Sequence, residues 1–168
     1  MSTVTTTAAE LHDLLVQEAH LLDEWQLDDW LHLYDEDAIY WLPIDEKADP
    51  ESTPSIIHER KVMLMVRVEQ LMRQNRHAQS PRAEFMRSIS NVQVTDHGDG
   101  TASARYHLMC VEVRPGDWRQ YGLGQKRFFA GRCEVQVKRV DGGKLLITRK
   151  VIKLLDRFGP VESLSFIL

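Results

Sequence analysis

Asp96-His97-Gly98-Asp99-Gly100, between Ser88–Thr95 and Thr101–Val113, is the stretch on which the fold turns. Asp and Gly alternate at the tip, and the flanks are rich in β-branched and small residues, so the segment reads as a hairpin turn joining two strands. Outward toward the C-terminus the same grammar repeats. Arg114-Pro115-Gly116-Asp117 makes another turn, and Tyr121–Val140 a long strand that could bend at Gly122, Gly124 or Gly131. Asp141-Gly142-Gly143 turns again, and Lys144–Leu155 is the last long strand. Leu164-Ser165-Phe166-Ile167-Leu168 is too apolar for a frayed tail and should be docked.

Outward toward the N-terminus the period changes from two to 3.6. From Ala8 to Trp25, Leu11, Leu14, Leu15, Leu22 and Trp25 recur at helical spacing, and Asp28–Tyr34 reads as a short helix capped by Asp28 or Asp29. Ala38–Pro43 is aromatic and β-branched and is stopped by proline, as a strand would be. Residues 44–58 read as a polar loop, and Glu59–Arg73 as a helix with a stripe of Leu64, Met65, Val68, Leu71 and Met72. Val62, Met63 and Val66 lie outside that stripe, so the helix should be covered on two sides, one of them by another chain. Helices first and then an antiparallel meander is an α+β plan with a curved sheet around the helices. All of 1–168 is expected to form one domain, with residues 1–7 a flexible lead-in.

Composition excludes several classes of function. Hydrophobic residues make up 43% and charged residues 27% of the 168, and the net charge is −4, so no basic face invites nucleic acid. The densest basic stretch, Arg73 to Arg82, is short and mixed. Apolar runs such as Val62–Val66 fall far below the roughly 20 residues a bilayer helix needs. The N-terminus lacks the basic start and apolar centre of a secretory signal, so a cytoplasmic location with Cys110 and Cys133 reduced is expected.

Metal chemistry finds no purchase in the spacing. Neither cysteine has a histidine two residues downstream, as Rieske ligation would require, and no Cys-x-x-Cys pair occurs. The histidines are His12, His20, His32, His58, His77, His97 and His107, no two of them four apart. Gly122-Leu123-Gly124 is a fragment of a dinucleotide fingerprint without the helix that should follow. Asp96–Gly100 has too few ligands for a calcium loop, and no Gly-x-Ser-x-Gly elbow appears. No metal or cofactor is therefore expected in this chain.

Candidate chemistry rests on three residues. Glu18 falls in the middle of the first helix's apolar stripe, where a carboxylate must be paired or titrate unusually. It is either an acid or base facing a cavity, or a structural anchor to Arg132 or Arg149 on the sheet. Asp37 and Tyr40 could line a pocket and act on an enolisable substrate, or Asp37 could cap the turn into the strand.

Five segments together resemble a known family. They are Glu18–Glu24 followed by Trp30-Leu31-His32-Leu33-Tyr34, then Asp37–Pro43, Arg87–Val92, Phe129–Glu134, and Arg149–Asp156 with the apolar end. In order and spacing they resemble the β (small) subunits of aromatic-ring-hydroxylating dioxygenases. Cys133 departs from the family's usual aromatic, and Lys150 stands where a second arginine is common. The resemblance implies the cone-shaped fold of nuclear transport factor 2 (NTF2-like, cystatin-like), scytalone dehydratase and ketosteroid isomerase. It implies a subunit without catalytic residues in an α3β3 hexamer, its β chains forming a trimer. The oxygenase α subunit would hold the Rieske [2Fe-2S] cluster and mononuclear iron. The alternative is a stand-alone dehydratase or isomerase of the same fold, with Glu18, Asp37 or a pocket histidine as general base and Tyr40 as a further pocket residue. That alternative requires an enclosed cavity with an inward carboxylate.

Overall fold

The structure, a computed structural model, describes residues 6–74, 81–161 and 164–168. The chain opens with helix α1 (Ala8–Asp23), whose start is fixed by a reciprocal cap. Thr7 Oγ1 accepts from the Glu10 amide at 3.1 Å, and the Glu10 carboxylate accepts from the Thr7 amide at 2.8 Å, a device worth about 1 kcal/mol. Thr7 is thus the helix cap and Thr6 is buried, which shortens the expected lead-in; residues 1–5 lie outside the described residues. Leu11, Leu14, Leu15, Glu18 and Leu22 form the buried face. Trp25, at φ 57°, turns the chain out of the helix, and its indole N–H donates to the Ala83 carbonyl at 3.0 Å.

Helix α2 (Leu27–Leu31) is shorter than expected; Gln26, not Asp28 or Asp29, is its N-terminal boundary, and the Gln26 side chain does not cap it. The chain can therefore start strand β1 at Tyr34, earlier than the β-branched run suggests, and carry it to Pro43. Strand β2 (Ser55–Arg60) then forms inside the segment read as loop and into the expected helix, pairing antiparallel with β1. An edge strand needs only one row of partners, so its polar composition hid it. Helix α3 (Lys61–Arg73) buries Leu64, Val68 and Leu71, whereas Met65, expected in the stripe, is exposed with Val62, Met63 and Val66.

Four strands form the meander: β3 (Glu84–Asp96), β4 (Thr101–Val113), β5 (Lys126–Arg139) and β6 (Leu145–Leu154). Strand β5 begins later than expected because Gly122 and Gly124 have positive φ in the preceding loop rather than bending a strand. Gly131 does lie in β5. A Cβ there would stand 3.1 Å from the Lys153 carbonyl oxygen, so glycine permits the close approach of β6. The basic stretch at Arg73–Arg82 falls largely on residues 75–80, outside the described residues.

The sheet order is β2-β1-β6-β5-β4-β3, with β1 parallel to β6 and the other pairs antiparallel. Alternation is clean on β4, where Ala102, Ala104, Tyr106, Leu108, Cys110 and Glu112 face inward. Helix α1 lies across β3, and α3 packs on β1 and β2, all on that one face. Each large side chain in the core between them contributes roughly 1.5–3 kcal/mol of burial.

Candidate functional site

Glu18 is 2% exposed and lies where the α1 stripe meets the sheet. Its Oε1 accepts from the Tyr34 hydroxyl at 2.6 Å and from the Trp30 indole N–H at 3.2 Å. Its Oε2 pairs with Lys150 Nζ at 2.8 Å, and the lysine side chain is itself 3% exposed. The anchor is therefore Lys150, and the expectation of Arg132 or Arg149 is corrected. The reason is the pleat: neighbours on a strand point to opposite faces. Lys150 points inward opposite Val135, while Arg149 points out, over the Trp41 ring, and Arg132 is exposed.

Both oxygens of the carboxylate thus have protein donors, and the groups around them are closely packed. The Trp30 ring lies 4.8 Å from Tyr34 and edge-on to Tyr40 at 6.2 Å. Burial, and next the charge of Glu18, hold the Tyr34 hydroxyl well above its ordinary pKa, so it stays a donor. A buried ion pair adds little net stability, but removing one partner strands the other charge in the interior. The arrangement is suited to anchoring α1 and β1 to β6.

Neither of the other candidates bonds to the Glu18 carboxylate, whose partners among the described residues are Trp30, Tyr34 and Lys150. Tyr40 is buried, and its hydroxyl donates to the main-chain oxygen of Leu168 at 2.7 Å. Asp37 is exposed on β1, and the capping role expected of it belongs to Asp35, whose Oδ1 accepts from the Asp37 amide at 3.3 Å. Asp35 also pairs with Lys138 at 2.7 Å, which holds its carboxyl below the usual range. Cys110 and Cys133 are buried free thiols, pushed up by burial to about 11 and about 12.

Sequence reasoning missed a second buried polar cluster. Arg87 Nη1 donates to Asp23 Oδ1 at 2.5 Å and its amide to Asp23 Oδ2 at 3.0 Å, tying β3 to α1. Glu112, 1% exposed, pairs with Arg127 on the next strand. The signal was available in principle, since Glu112 shares the inward parity of β4. Among the described residues no three His, Cys, Asp or Glu side chains gather as a metal would require, and no helix is long and apolar enough to cross a membrane.

The outer face of the sheet is different. Met86, Met109, Phe128 and Leu155 are all more than half exposed. Cross-strand register makes them neighbours: Met86 and Phe128 flank Val111, Met109 pairs with Ala130, and the Leu155 amide donates to the Ala130 carbonyl at 3.0 Å. Val62, Met63, Met65 and Val66 make a second exposed apolar strip on α3. Exposed apolar clusters of this kind are where proteins meet other chains, membranes or ligands.

A mixed sheet with its helices on one face is the α+β, nuclear-transport-factor-2-like class of fold. Within that class the chain belongs to the ring hydroxylating beta subunit family, whose model matches residues 17–158. It is 27% identical over 165 residues to the small oxygenase component of the p-cumate 2,3-dioxygenase system of Pseudomonas putida, covering 96% of this chain and 87% of that one. It is 30% identical over 117 residues to the toluate 1,2-dioxygenase subunit beta of Pseudomonas putida, covering 66% and 72%. The solved beta subunit of benzoate 1,2-dioxygenase from Burkholderia mallei superimposes with a TM-score of 0.75 at 20% identity, covering 98% and 99%.

Proposed function

We propose that this chain is the structural β subunit of a multicomponent aromatic-ring-hydroxylating dioxygenase that serves the breakdown of aromatic compounds. It supplies no catalytic residue, and Glu18, Asp37 and Tyr40 have structural or solvent-facing roles. Its partner is an oxygenase α subunit that holds the Rieske cluster and mononuclear iron, and three β chains associate within an α3β3 hexamer. The observation that carries the reading is the uncovered apolar surface, on α3 and on the outer sheet face, in a member of this family. Two unlike patches are what a subunit needs when it meets both its own copies and a different chain. The buried, unbridged thiols fit a reducing, cytoplasmic setting.

The test is reconstitution. The chain is purified alone and together with its cognate oxygenase α chain, and mass, iron content and oxygen-dependent turnover are measured. The reading expects iron and turnover only in the mixture, at a mass matching three of each chain. Stoichiometric iron on the isolated chain, or dehydratase activity that Glu18→Gln abolishes without loss of stability, would overturn it.

A further inference from the structure

The apolar end of the chain is held in an unusual way. Phe166, Ile167 and Leu168 are 2%, 3% and 1% exposed, yet they belong to no strand or helix. Phe166 stands between two rings, 4.6 Å from Phe85 on β3 and 5.3 Å from Phe129 on β5. The Ile167 carbonyl accepts from Arg87 Nη2 at 2.5 Å, and the next oxygen, that of Leu168, from the Tyr40 hydroxyl at 2.7 Å.

Arg87 lies on β3 and Tyr40 on β1, and β6, β5 and β4 stand between those strands. They reach consecutive residues of the tail only because the sheet curls, so the tail sits in the hollow of the cup. The walls have the chemistry of a small-molecule pocket: aromatic sides with a few convergent polar groups. The Arg87 side chain is 2% exposed, its ring neighbour Phe85 lies 5.0 Å away, and its Nε has no hydrogen-bond partner among the described residues. A fully buried donor is left over beside the seat of the tail.

We propose that Phe166–Leu168 acts as an internal ligand. The hollow it fills is a latent binding site for a small aromatic carboxylic acid, the ring between Phe85 and Phe129 and the carboxylate on Arg87 and the Tyr40 hydroxyl. A carboxylate is the stronger partner for a guanidinium than a main-chain carbonyl, because the bond is charge-assisted. The tail prevails because it is tethered, at an effective concentration of about millimolar or above. The device keeps a cup-shaped subunit from capturing aromatic acids, and it operates whether or not the chain joins an α subunit.

Calorimetric titration with benzoate compares the intact chain with a variant lacking Phe166–Leu168. One-to-one binding is expected for the variant only, displaced by the peptide Ser-Phe-Ile-Leu. A folded variant that takes up no benzoate overturns the proposal, as does equal binding by the intact chain. If the shortened chain fails to fold, Phe166→Ala in the full chain leaves both main-chain oxygen anchors and opens the space between the rings. Saturating benzene should then raise its melting temperature and leave that of the intact chain unmoved; the absence of that difference overturns the proposal.

Discussion

The inner and outer faces of the sheet treat mismatched side chains in opposite ways. On the inner face a charge lies among apolar residues, and the chain itself supplies Lys150, Tyr34 and Trp30 to complete it. On the outer face Met86, Met109, Phe128 and Leu155 are left in water, and no element of the chain covers them among the described residues. A buried charge without a partner costs several kcal/mol and must be satisfied during folding, whereas exposed methionines cost little until a second chain arrives. The contrast separates what the chain needs to fold from what it offers to others.

The sharpest way to break the contrast is Lys150→Met, which strands the Glu18 carboxylate. It should cost about 3–5 kcal/mol in denaturant unfolding, and adding Glu18→Gln should restore much of it. A loss near zero for the single change would show that the inner face tolerates an unpaired charge. Tyr34→Phe removes one donor from the same carboxylate and should cost about 1–3 kcal/mol by the same measurement.

Acid should act through surface pairs. Lys138 beside Asp35, and Lys153 beside Glu46, hold those carboxyls below their ordinary values. Their contribution is complete above the ordinary carboxylate range and is lost as pH falls through the depressed values. Melting temperature should therefore drop between about pH 5 and pH 2, and Lys138→Gln should flatten part of that limb. The smallest effect on the isolated chain is expected on the outer face. Met109→Glu should change its stability by no more than about 0.5 kcal/mol, yet reduce the assembled mass seen by light scattering. If it unfolds the chain instead, the outer face belongs to the core and the contrast fails.

Where side chains alternate strongly, the fold could be read directly from the residues. Strand β4 occupies Thr101–Val113 as its turn and pattern indicate, and α1 starts at Ala8. Strand β2 was hidden because a polar edge strand carries no such alternation, and the parallel β1–β6 pairing joins segments with no local signal. The oddity of Glu18 was visible from its place in the stripe. Its partner was not, because one step along β6 moves a cation from the outer face to the inner one. The docked tail was legible from its composition, but its seat between Phe85 and Phe129 depends on the curl of the sheet.

The parallel pairing of β1 with β6 also sets a schedule for synthesis. Tyr34–Trp41 finds its long-range partner in Ile147–Val151, so β1 emerges from the ribosome more than a hundred residues before it can join the sheet, and its edge neighbour β2 must wait with it. The meander of β3, β4 and β5 forms from neighbours in sequence and can assemble first, and β6 then closes the structure by receiving β1. Until that moment Lys150 has not met Glu18, and the aromatic residues around it remain open to water and to other nascent chains. Translation of the last quarter of the message is thus the step at which this subunit is most exposed to aggregation.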